Sequence, residues 1–260
     1  MILAIDIGNT NIDVGIFNVH DKEEHTLLNN FRLHTELNVT VDEFGSLVKS
    51  VLSNNHINAS KIKGIICSNV ASPLNKIVMG ASQKYFSCDC MFVAHDIVTG
   101  LVFDYDVPSN IGADRIVNAV CVNTLYKGNS IIIDFGTATT FCVLTDKSEY
   151  LGGLILPGIA TSLNALTNKA FKLPKLDLSH PTRVIGKSTH EGMLSGIYHG
   201  TMGILEGVVR EIKHELNRDK VTVLATGGLS SYVDKAKCID HIDPHLTLKG
   251  LNILYHLNNR

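Results

Sequence analysis

The sequence predicts a mixed α/β fold built from two related halves. One pattern occurs twice, as Ile5-Asp6-Ile7-Gly8-Asn9-Thr10-Asn11 and as Ile133-Asp134-Phe135-Gly136-Thr137-Ala138-Thr139-Thr140. Each copy follows a short apolar run and precedes a β-rich segment, which predicts a strand, an Asp-x-Gly turn and a second strand. Predicted strands and helices alternate after both copies, as is typical of α/β domains.

The position of the two copies indicates a duplicated domain. Residues 6 and 134 lie about half a chain apart in a sequence of 260 residues, far beyond the period of a solenoid. The sequence contains no flexible linker and no low-complexity tract. We therefore predict two domains that pack directly together, covering residues 1-113 and 114-260.

Local signals place further elements in both halves. In the first half, Thr40 is expected to cap a helix that runs to Leu52, since Asp42 and Glu43 lie in its first turn, where the helix dipole favours acidic residues. The other predicted elements of that half are strands at 64–67 and 91–93 and a helix start at Pro73. The second half is predicted to contain a helix over 188–217, a strand over 221–224, a sharp turn at 227–228 into another helix, and a C-terminal helix.

Composition restricts the possible partners. The net charge of -2 and the pI near 6.6 give no electrostatic reason to expect nucleic acid or an anionic membrane. Asp6 interrupts the N-terminal apolar run, and no later run reaches the length of a membrane span. We expect a cytoplasmic protein with reduced thiols, in which Cys88-Asp89-Cys90 is a surface or edge-strand pair rather than a metal site.

The paired Asp-x-Gly turns suggest a polyphosphate site. A glycine lets the backbone approach a bulky anion, and turn N–H groups with threonine hydroxyls can surround phosphate oxygens. The aspartate can hold Mg²⁺ directly or through water. If a pseudo-twofold axis relates the halves, both turns face one nucleotide. The alternative is that each is an ordinary hairpin turn, but two matched copies favour the phosphate site.

Together the two motifs resemble the phosphate motifs of the actin, Hsp70 and sugar-kinase superfamily, in the form typical of type III pantothenate kinases. Three further segments agree with that resemblance and occur in the expected order: Tyr105-Asp106-Val107-Pro108 before Gly112-Ala113-Asp114-Arg115, Gly152 to Gly158, and Ala225-Thr226-Gly227-Gly228.

The resemblance implies two tandem RNase H-like (actin-like ATPase) domains with a nucleotide cleft between them. It implies ATP-dependent phosphorylation of pantothenate to 4′-phosphopantothenate, the first step of coenzyme A biosynthesis, by a cytoplasmic homodimer. It assigns Asp114 as the catalytic base, Mg²⁺ to Asp6, and a monovalent cation, K⁺ or NH₄⁺, to Asp134. The ATP-binding residues it implies are Asp6, Gly8, Asn9, Thr10, Asn11, Asp13, Gly136 and Thr137. The substrate-binding residues it implies are Tyr105, Gly112, Ala113, Asp114, Arg115 and Thr189.

Several of these residues also have simpler interpretations. Without the resemblance, Asp114 and Arg115 are typical of a helix cap and a solvated charge. Tyr105 is equally typical of a half-buried strand residue, and Thr189 of a helix N-cap.

Other motifs fail on inspection. Gly186-Lys187-Ser188-Thr189 lacks the first glycine of a Walker A loop, because Pro181 stands there. The Asp134-Phe135-Gly136 triplet lacks the other protein-kinase motifs. The glycines between 192 and 207 predict close helix packing within the domain or across a dimer interface.

The sequence is also compatible with two alternative functions. One is phosphorylation of a sugar or small carboxylate by a kinase of the same superfamily. The other is a nucleotide-binding accessory protein of transcription.

Overall fold

The computed structural model describes residues 1–21, 24–170, 173–218 and 220–259. By compactness the chain divides into two units. The first unit contains residues 1–126 and the C-terminal segment that begins at His245, and the second contains Lys127–Pro244.

The described residues form strands and helices in alternation. The strands are β1 (Ile2–Ile7), β2 (Asn11–Phe17), β3 (Leu27–His34), β4 (Gly64–Asn69), β5 (Cys90–Phe92), β6 (Val102–Phe103), β7 (Ser130–Phe135), β8 (Ala138–Leu144), β9 (Glu149–Pro157), β10 (Thr222–Thr226) and β11 (His241–Ile242). The α-helices are α1 (Val41–Asn54), α2 (Asn75–Phe86), α3 (Ala113–Leu125), α4 (Ile159–Lys169), α5 (Thr189–Leu216) and α6 (Leu246–Asn258). Short 3₁₀ helices cover Ala59–Lys61, Ser72–Leu74, Pro108–Asn110 and Ser230–Val233.

The first unit contains a sheet of order β3-β2-β1-β4-β5. Strands β1, β2 and β3 are antiparallel neighbours, whereas β4 and β5 continue the sheet in parallel. Alternate β1 residues such as Leu3 and Ile5 pack with Val48 of α1 and Val78 of α2 in one buried cluster. Helices α6 and α3 cover the sheet as a second layer.

The second unit repeats this arrangement strand for strand. Its strands lie in the order β9-β8-β7-β10-β11, with β7, β8 and β9 antiparallel and with β10 and β11 parallel to β7. Apolar residues of β7 and β10 pack with Leu205 and Val209 of α5 in a separate buried cluster. The mixed α/β fold and both predicted Asp-x-Gly hairpins are therefore confirmed.

Most predicted elements are also confirmed, and two differ in detail. Thr40 accepts a hydrogen bond from the Glu43 backbone, and the Glu43 side chain accepts one from the Thr40 backbone, which completes a capping box at the start of α1. The predicted helix over 188–217 is α5, whose C-cap residue Asn217 lies in the left-handed region. Pro73, however, lies in a 3₁₀ helix before α2, and the turn at Gly227 leads into a 3₁₀ helix rather than an α-helix.

The predicted domain limits of 1-113 and 114-260 stay a proposal. The compact units divide instead after Tyr126, and the C-terminal α6 groups with the first unit. The reason is packing: α6 contacts β1, β2 and β4 together with α3, and Gly250 lets α6 approach the backbone of Val117.

Within the part of the chain that the structure describes, we find no helix that combines the length and apolar character needed to cross a bilayer.

Candidate active site

A row of polar residues crosses the first sheet where β1 ends. Asp6 pairs with Asp13 across the antiparallel β1–β2 ladder and with Ser68 across the parallel β1–β4 ladder. Asp13 pairs in turn with Arg32 on β3, whose Nε and Nη2 donate to its two carboxylate oxygens at 2.7 and 3.1 Å. Paired residues on neighbouring strands project from the same face. Two carboxylates, one guanidinium and one hydroxyl therefore lie side by side.

The turn after Asp6 is fixed by hydrogen bonds that its backbone carbonyl oxygens accept. The Thr35 hydroxyl donates to the Gly8 carbonyl at 2.8 Å, and the Thr35 backbone N–H donates to the Thr10 carbonyl at 3.0 Å. Within the turn, the Gly8 N–H donates to the Asn11 carbonyl at 2.9 Å. Asn9, Thr10 and Asn11 are exposed, so the predicted ATP-binding residues of this motif form an accessible turn.

The second sheet carries a shorter polar row at the equivalent place. Asp134 pairs with Thr140 across β7–β8 and with Thr226 across the parallel β7–β10 ladder. Gly227 follows Thr226 with a φ of +90°, and a Cβ at this position would lie 2.4 Å from Asp134 Oδ1. Position 227 therefore requires glycine for two reasons: a side chain would collide with the Asp134 carboxylate, and the backbone there is left-handed.

The second turn is fixed in the same way as the first. The Thr137 carbonyl accepts hydrogen bonds from the Gly158 N–H at 3.0 Å and from the Thr161 hydroxyl at 2.7 Å. Gly158 packs so closely on this turn that a Cβ there would lie 2.3 Å from the Gly136 carbonyl oxygen. Gly136 and Thr137 themselves are exposed.

The two hydroxyls beside the motif aspartates are buried. Ser68 and Thr226 are 0% and 1% exposed, and their hydroxyl oxygens have no hydrogen-bond partner among the described residues. An unpaired buried hydroxyl costs about 1–3 kcal/mol. A water molecule or a cation beside the neighbouring carboxylate would supply the missing partner. Each motif therefore has the oxygen ligands that suit a hard cation, as the assignments of Mg²⁺ and a monovalent cation require.

A third carboxylate lies at the start of α3. Asp114 Oδ1 accepts a hydrogen bond from the Arg115 backbone N–H at 2.8 Å. A Cβ on Gly112 would lie 2.5 Å from the same oxygen, so Gly112 gives the carboxylate its space. Burial raises the pKa of Asp114, and the Arg115 backbone hydrogen bond and positive charge oppose that rise. Arg115 is only 7% exposed.

Comparison with known proteins identifies the family. The family model for type III pantothenate kinases matches residues 2–211. The chain belongs to the type III pantothenate kinase family. A type III pantothenate kinase of Bacillus cytotoxicus is 42% identical over 259 residues, which cover 99% of this chain and 97% of that protein. The predicted family membership is therefore confirmed.

Solved structures extend the similarity of fold beyond the family. A Campylobacter jejuni protein, provisionally named a Baf family transcriptional activator, superposes with a TM-score of 0.61 at 20% identity and covers 98% of both chains. A protein of Cytophaga hutchinsonii, provisionally named a sugar kinase, gives 0.51 at 14% identity over 98% of this chain and 99% of its own. These likenesses show the fold alone, and they agree with the predicted actin-like ATPase and sugar-kinase architecture.

The structure corrects the simpler interpretations of three family positions. Arg115 is buried, so it is not a solvated charge, and the residue at the cap position of α3 is Gly112. Thr189 is the first residue of α5, but Ser188 is the cap, since its hydroxyl accepts from the Glu191 N–H. Tyr105 is half-buried in a bend after β6 rather than in a strand.

The predicted residues fall into two groups. The first unit holds Asp6, Gly8, Asn9, Thr10, Asn11, Asp13, Tyr105, Gly112, Ala113, Asp114 and Arg115, and the second holds Asp134, Gly136, Thr137 and Thr189. The roles of these residues in the family stay predictions.

The cysteine pair lies at the start of β5, which is an edge strand of the first sheet. Over residues 1–21, 24–170, 173–218 and 220–259, no group of three or more His, Cys, Asp or Glu side chains could hold a metal ion. Cys90 is the first residue of the short strand β5, as expected for an edge-strand pair, and both Cys88 and Cys90 are free thiols.

Sequence reasoning missed five residues that build the two turns and rows: Arg32, Thr35, Ser68, Thr161 and Thr226. Thr226 lies in the quoted Ala-Thr-Gly-Gly segment, but its partnership with Asp134 depends on the register of β7 and β10. Arg32 and Ser68 depend on strand register in the same way. A single sequence contains no signal for register between strands that are distant along the chain.

Proposed function

We propose that this protein transfers the γ-phosphoryl group of ATP to the 4′-hydroxyl of pantothenate, the first step of coenzyme A biosynthesis. The observation that carries the proposal is the match to the type III pantothenate kinase family over residues 2–211. The half-buried Asp114 and the buried Arg115 beside it support the proposal, because one substrate with a hydroxyl and a carboxylate would use both groups.

Asp114 acts as the general base. Its carboxylate orients the primary hydroxyl of pantothenate and accepts its proton during attack on the γ-phosphorus. The transition state of phosphoryl transfer is usually loose, so positioning and charge neutralisation matter more than strong basicity. The fixed geometry at the start of α3, with Gly112 beside the carboxylate and the Arg115 N–H bonded to it, suits this task.

Arg115 holds the carboxylate of pantothenate. A guanidinium pairs with a carboxylate through two parallel hydrogen bonds, and burial strengthens such a pair. Tyr105, Gly112, Ala113 and Thr189 complete the proposed substrate site.

ATP is held by the two Asp-x-Gly turns. The turn at Gly8 to Asn11, together with Asp13, contacts the phosphates from the first hairpin, and Gly136 and Thr137 contact them from the second. Asp6 holds Mg²⁺ and Asp134 holds a monovalent cation, K⁺ or NH₄⁺. Bound cations supply neutralisation of the phosphate charge. The buried hydroxyls of Ser68 and Thr226 support these assignments, because each lies beside one of the two carboxylates and has no hydrogen-bond partner in the described part of the chain.

The protein acts as a cytoplasmic homodimer that assembles through α5. Four glycines of this helix, Gly192, Gly196, Gly200 and Gly203, are exposed, and Gly207 is partly exposed. A Cβ at any of the five would meet no atom within 4 Å among the described residues. Close packing inside the domain does not account for these glycines, so a second copy is the partner that their small size favours.

The test is ADP release in a coupled assay with pantothenate, and with a panel of sugars and small carboxylates as controls. We expect ADP release with pantothenate and with none of the control substrates. Turnover with a sugar instead would favour the other kinase function, and ATP binding without any turnover would favour the accessory role.

The role of Asp114 is tested by Asp114→Asn, which keeps the shape of the side chain and removes its basicity. We expect turnover to fall by about a hundredfold or more, while ATP binding by calorimetry is retained. Normal turnover in this variant would remove Asp114 from the role of base.

A further inference from the structure

Both Asp-x-Gly turns are held by a threonine from outside the hairpin. In the first unit, Thr35, the residue after β3, donates its hydroxyl to the Gly8 carbonyl at 2.8 Å. In the second unit, Thr161, in the first turn of α4, donates its hydroxyl to the Thr137 carbonyl at 2.7 Å. The two threonines belong to different kinds of element, yet each hydroxyl is bonded to a carbonyl of the turn that follows the motif aspartate.

Each threonine bond is reinforced by a backbone N–H beside it. The Thr35 N–H donates to the Thr10 carbonyl at 3.0 Å, and the Gly158 N–H donates to the Thr137 carbonyl at 3.0 Å. The carbonyl oxygens of Gly8, Thr10 and Thr137 therefore all have donors supplied by the protein.

The direction of these carbonyls matters for an anionic ligand. A carbonyl oxygen carries partial negative charge and repels phosphate, whereas a turn N–H attracts it. Because the trans peptide is planar, a carbonyl that is held in one direction turns the next N–H in the opposite direction. Holding the Gly8 carbonyl against Thr35 thus turns the Asn9 N–H to the other side of the turn.

We infer that Thr35 and Thr161 are positioning residues for ATP, which keep the carbonyl groups of the two phosphate turns away from the polyphosphate. This inference rests on the proposed function only in naming ATP as the ligand. We do not assign either threonine a direct contact with the nucleotide. Each one acts through the turn that it holds, so the loss of its hydroxyl should weaken ATP binding and leave the KM for pantothenate unchanged.

The positions of the two threonines separate this role from a general role in folding. Thr161 is exposed, and the Gly158 N–H keeps the Thr137 carbonyl paired when the hydroxyl is lost. A valine at 161 therefore leaves no buried group unsatisfied. Thr35 is 8% exposed, so its replacement leaves the Gly8 carbonyl dependent on solvent and needs a stability control.

The experiment compares Thr35→Val and Thr161→Val, which remove the hydroxyl and keep the shape, with Thr35→Ser and Thr161→Ser, which restore it. Thr124→Val and Thr167→Val are matched controls, since these hydroxyls donate to carbonyls of their own helices, Val120 at 2.8 Å and Asn164 at 3.1 Å. Three quantities are measured on the full chain: the Kd for MgATP by calorimetry without pantothenate, the KM values for ATP and pantothenate, and the Tm.

We expect each valine variant to raise the Kd and the KM for ATP about fivefold, the effect of one ordinary hydrogen bond, with the KM for pantothenate unchanged. The serine variants should return to within about twofold of the wild type, and the helix controls should match it. The double valine variant should multiply the two single effects, since the bonds share no atoms.

Three results would overturn the inference. They are an unchanged Kd for MgATP in both valine variants, an equal rise in the helix controls, and a loss of ATP affinity that the serine variants do not restore. If the wild type binds MgATP but does not turn over pantothenate, the proposed function fails, while the Kd comparison still decides the role of the threonines.

Discussion

The two hairpins share a strand order but differ in charge. In the first, Asp6 faces Asp13 across the ladder, and Arg32 offsets one of the two carboxylates through a bidentate pair. In the second, Asp134 faces Thr140 on β8 instead. On the next strand, β9, the apolar residue Ile155 lies opposite Thr140. On the other side each aspartate has a buried hydroxyl, from Ser68 or from Thr226. The two sheets therefore share the hydroxyl and differ in charge.

This difference gives a physical reason for two kinds of cation. A divalent ion such as Mg²⁺ binds through one or two carboxylates with retained water, and the first row offers two carboxylates. A single carboxylate flanked by hydroxyls has less negative charge and suits an ion of single charge. The proposed assignments of Mg²⁺ to Asp6 and a monovalent cation to Asp134 follow this pattern.

The largest expected effect comes from exchanging the motif aspartates for asparagine. Asp6→Asn should lower kcat about a thousandfold and Asp134→Asn about a hundredfold, because each removes a carboxylate that holds a cation, and the cation neutralises the phosphate charge. The comparison is sharpened by titrating each cation in each variant. Asp6→Asn should change the Mg²⁺ dependence alone, and Asp134→Asn should abolish the difference between K⁺ and Na⁺.

A wild-type enzyme that is equally active in K⁺ and Na⁺ would contradict the role of Asp134. If both variants altered the Mg²⁺ titration equally, the distinction between the two hairpins would be lost.

A smaller effect is expected from the buried hydroxyls. Thr226→Val should raise the K⁺ concentration needed for half-maximal activity about tenfold, and Ser68→Ala should do the same for Mg²⁺. The matched measurement is the Tm without cations. A hydroxyl without a partner costs stability, so neither variant should melt below the wild type. A clear loss of Tm with unchanged cation titrations would mean that these hydroxyls serve packing alone.

Replacing Arg32 should have a smaller effect, confined to the KM for ATP. Arg32→Gln leaves the Asp13 carboxylate without its counter-charge beside the proposed ATP phosphate site, so the KM for ATP should rise about threefold. The Tm should change little, because a partly exposed ion pair contributes only about 0.2–1 kcal/mol. Steady-state kinetics at low and high salt measure this effect, which salt should reduce. If neither the substitution nor the salt concentration changes the KM for ATP, the charge of Arg32 does not affect ATP binding at the first hairpin.

The smallest expected effect is a shift in the pH dependence of kcat/KM. Burial raises the pKa of Asp114, and only the ionised form is a base, so kcat/KM for pantothenate should fall as the pH drops through that raised pKa. The acid limb should therefore lie above the ordinary aspartate value of about 3.9. Since Asp114 belongs to neither hairpin, Ser68→Ala and Thr226→Val should leave the limb in place. A limb that moves with either variant would mean that a hairpin carboxylate sets it.

The sequence was informative where the signal is local. The two hairpins, the capping box at Thr40 and the long helix α5 follow from short-range patterns of turn residues and apolar spacing, and they are confirmed. The family motifs also placed Asp114 and Arg115 at one helix start.

Long-range register and packing could not be predicted. The rows that join Ser68 to Asp6 and Thr226 to Asp134 depend on pairing between strands that are far apart along the chain. The grouping of α6 with the first unit depends on its packing against α3, and the burial of Arg115 on the same tertiary context. Local patterns contain no record of these contacts.

The most direct test of the central claim is ³¹P NMR of a reaction containing ATP, Mg²⁺, K⁺ and pantothenate. We expect a new phosphomonoester signal on the 4′-oxygen of pantothenate that grows as the γ-phosphate signal of ATP falls, and that is lost with Asp114→Asn. Release of inorganic phosphate without a phosphorylated pantothenate would contradict it.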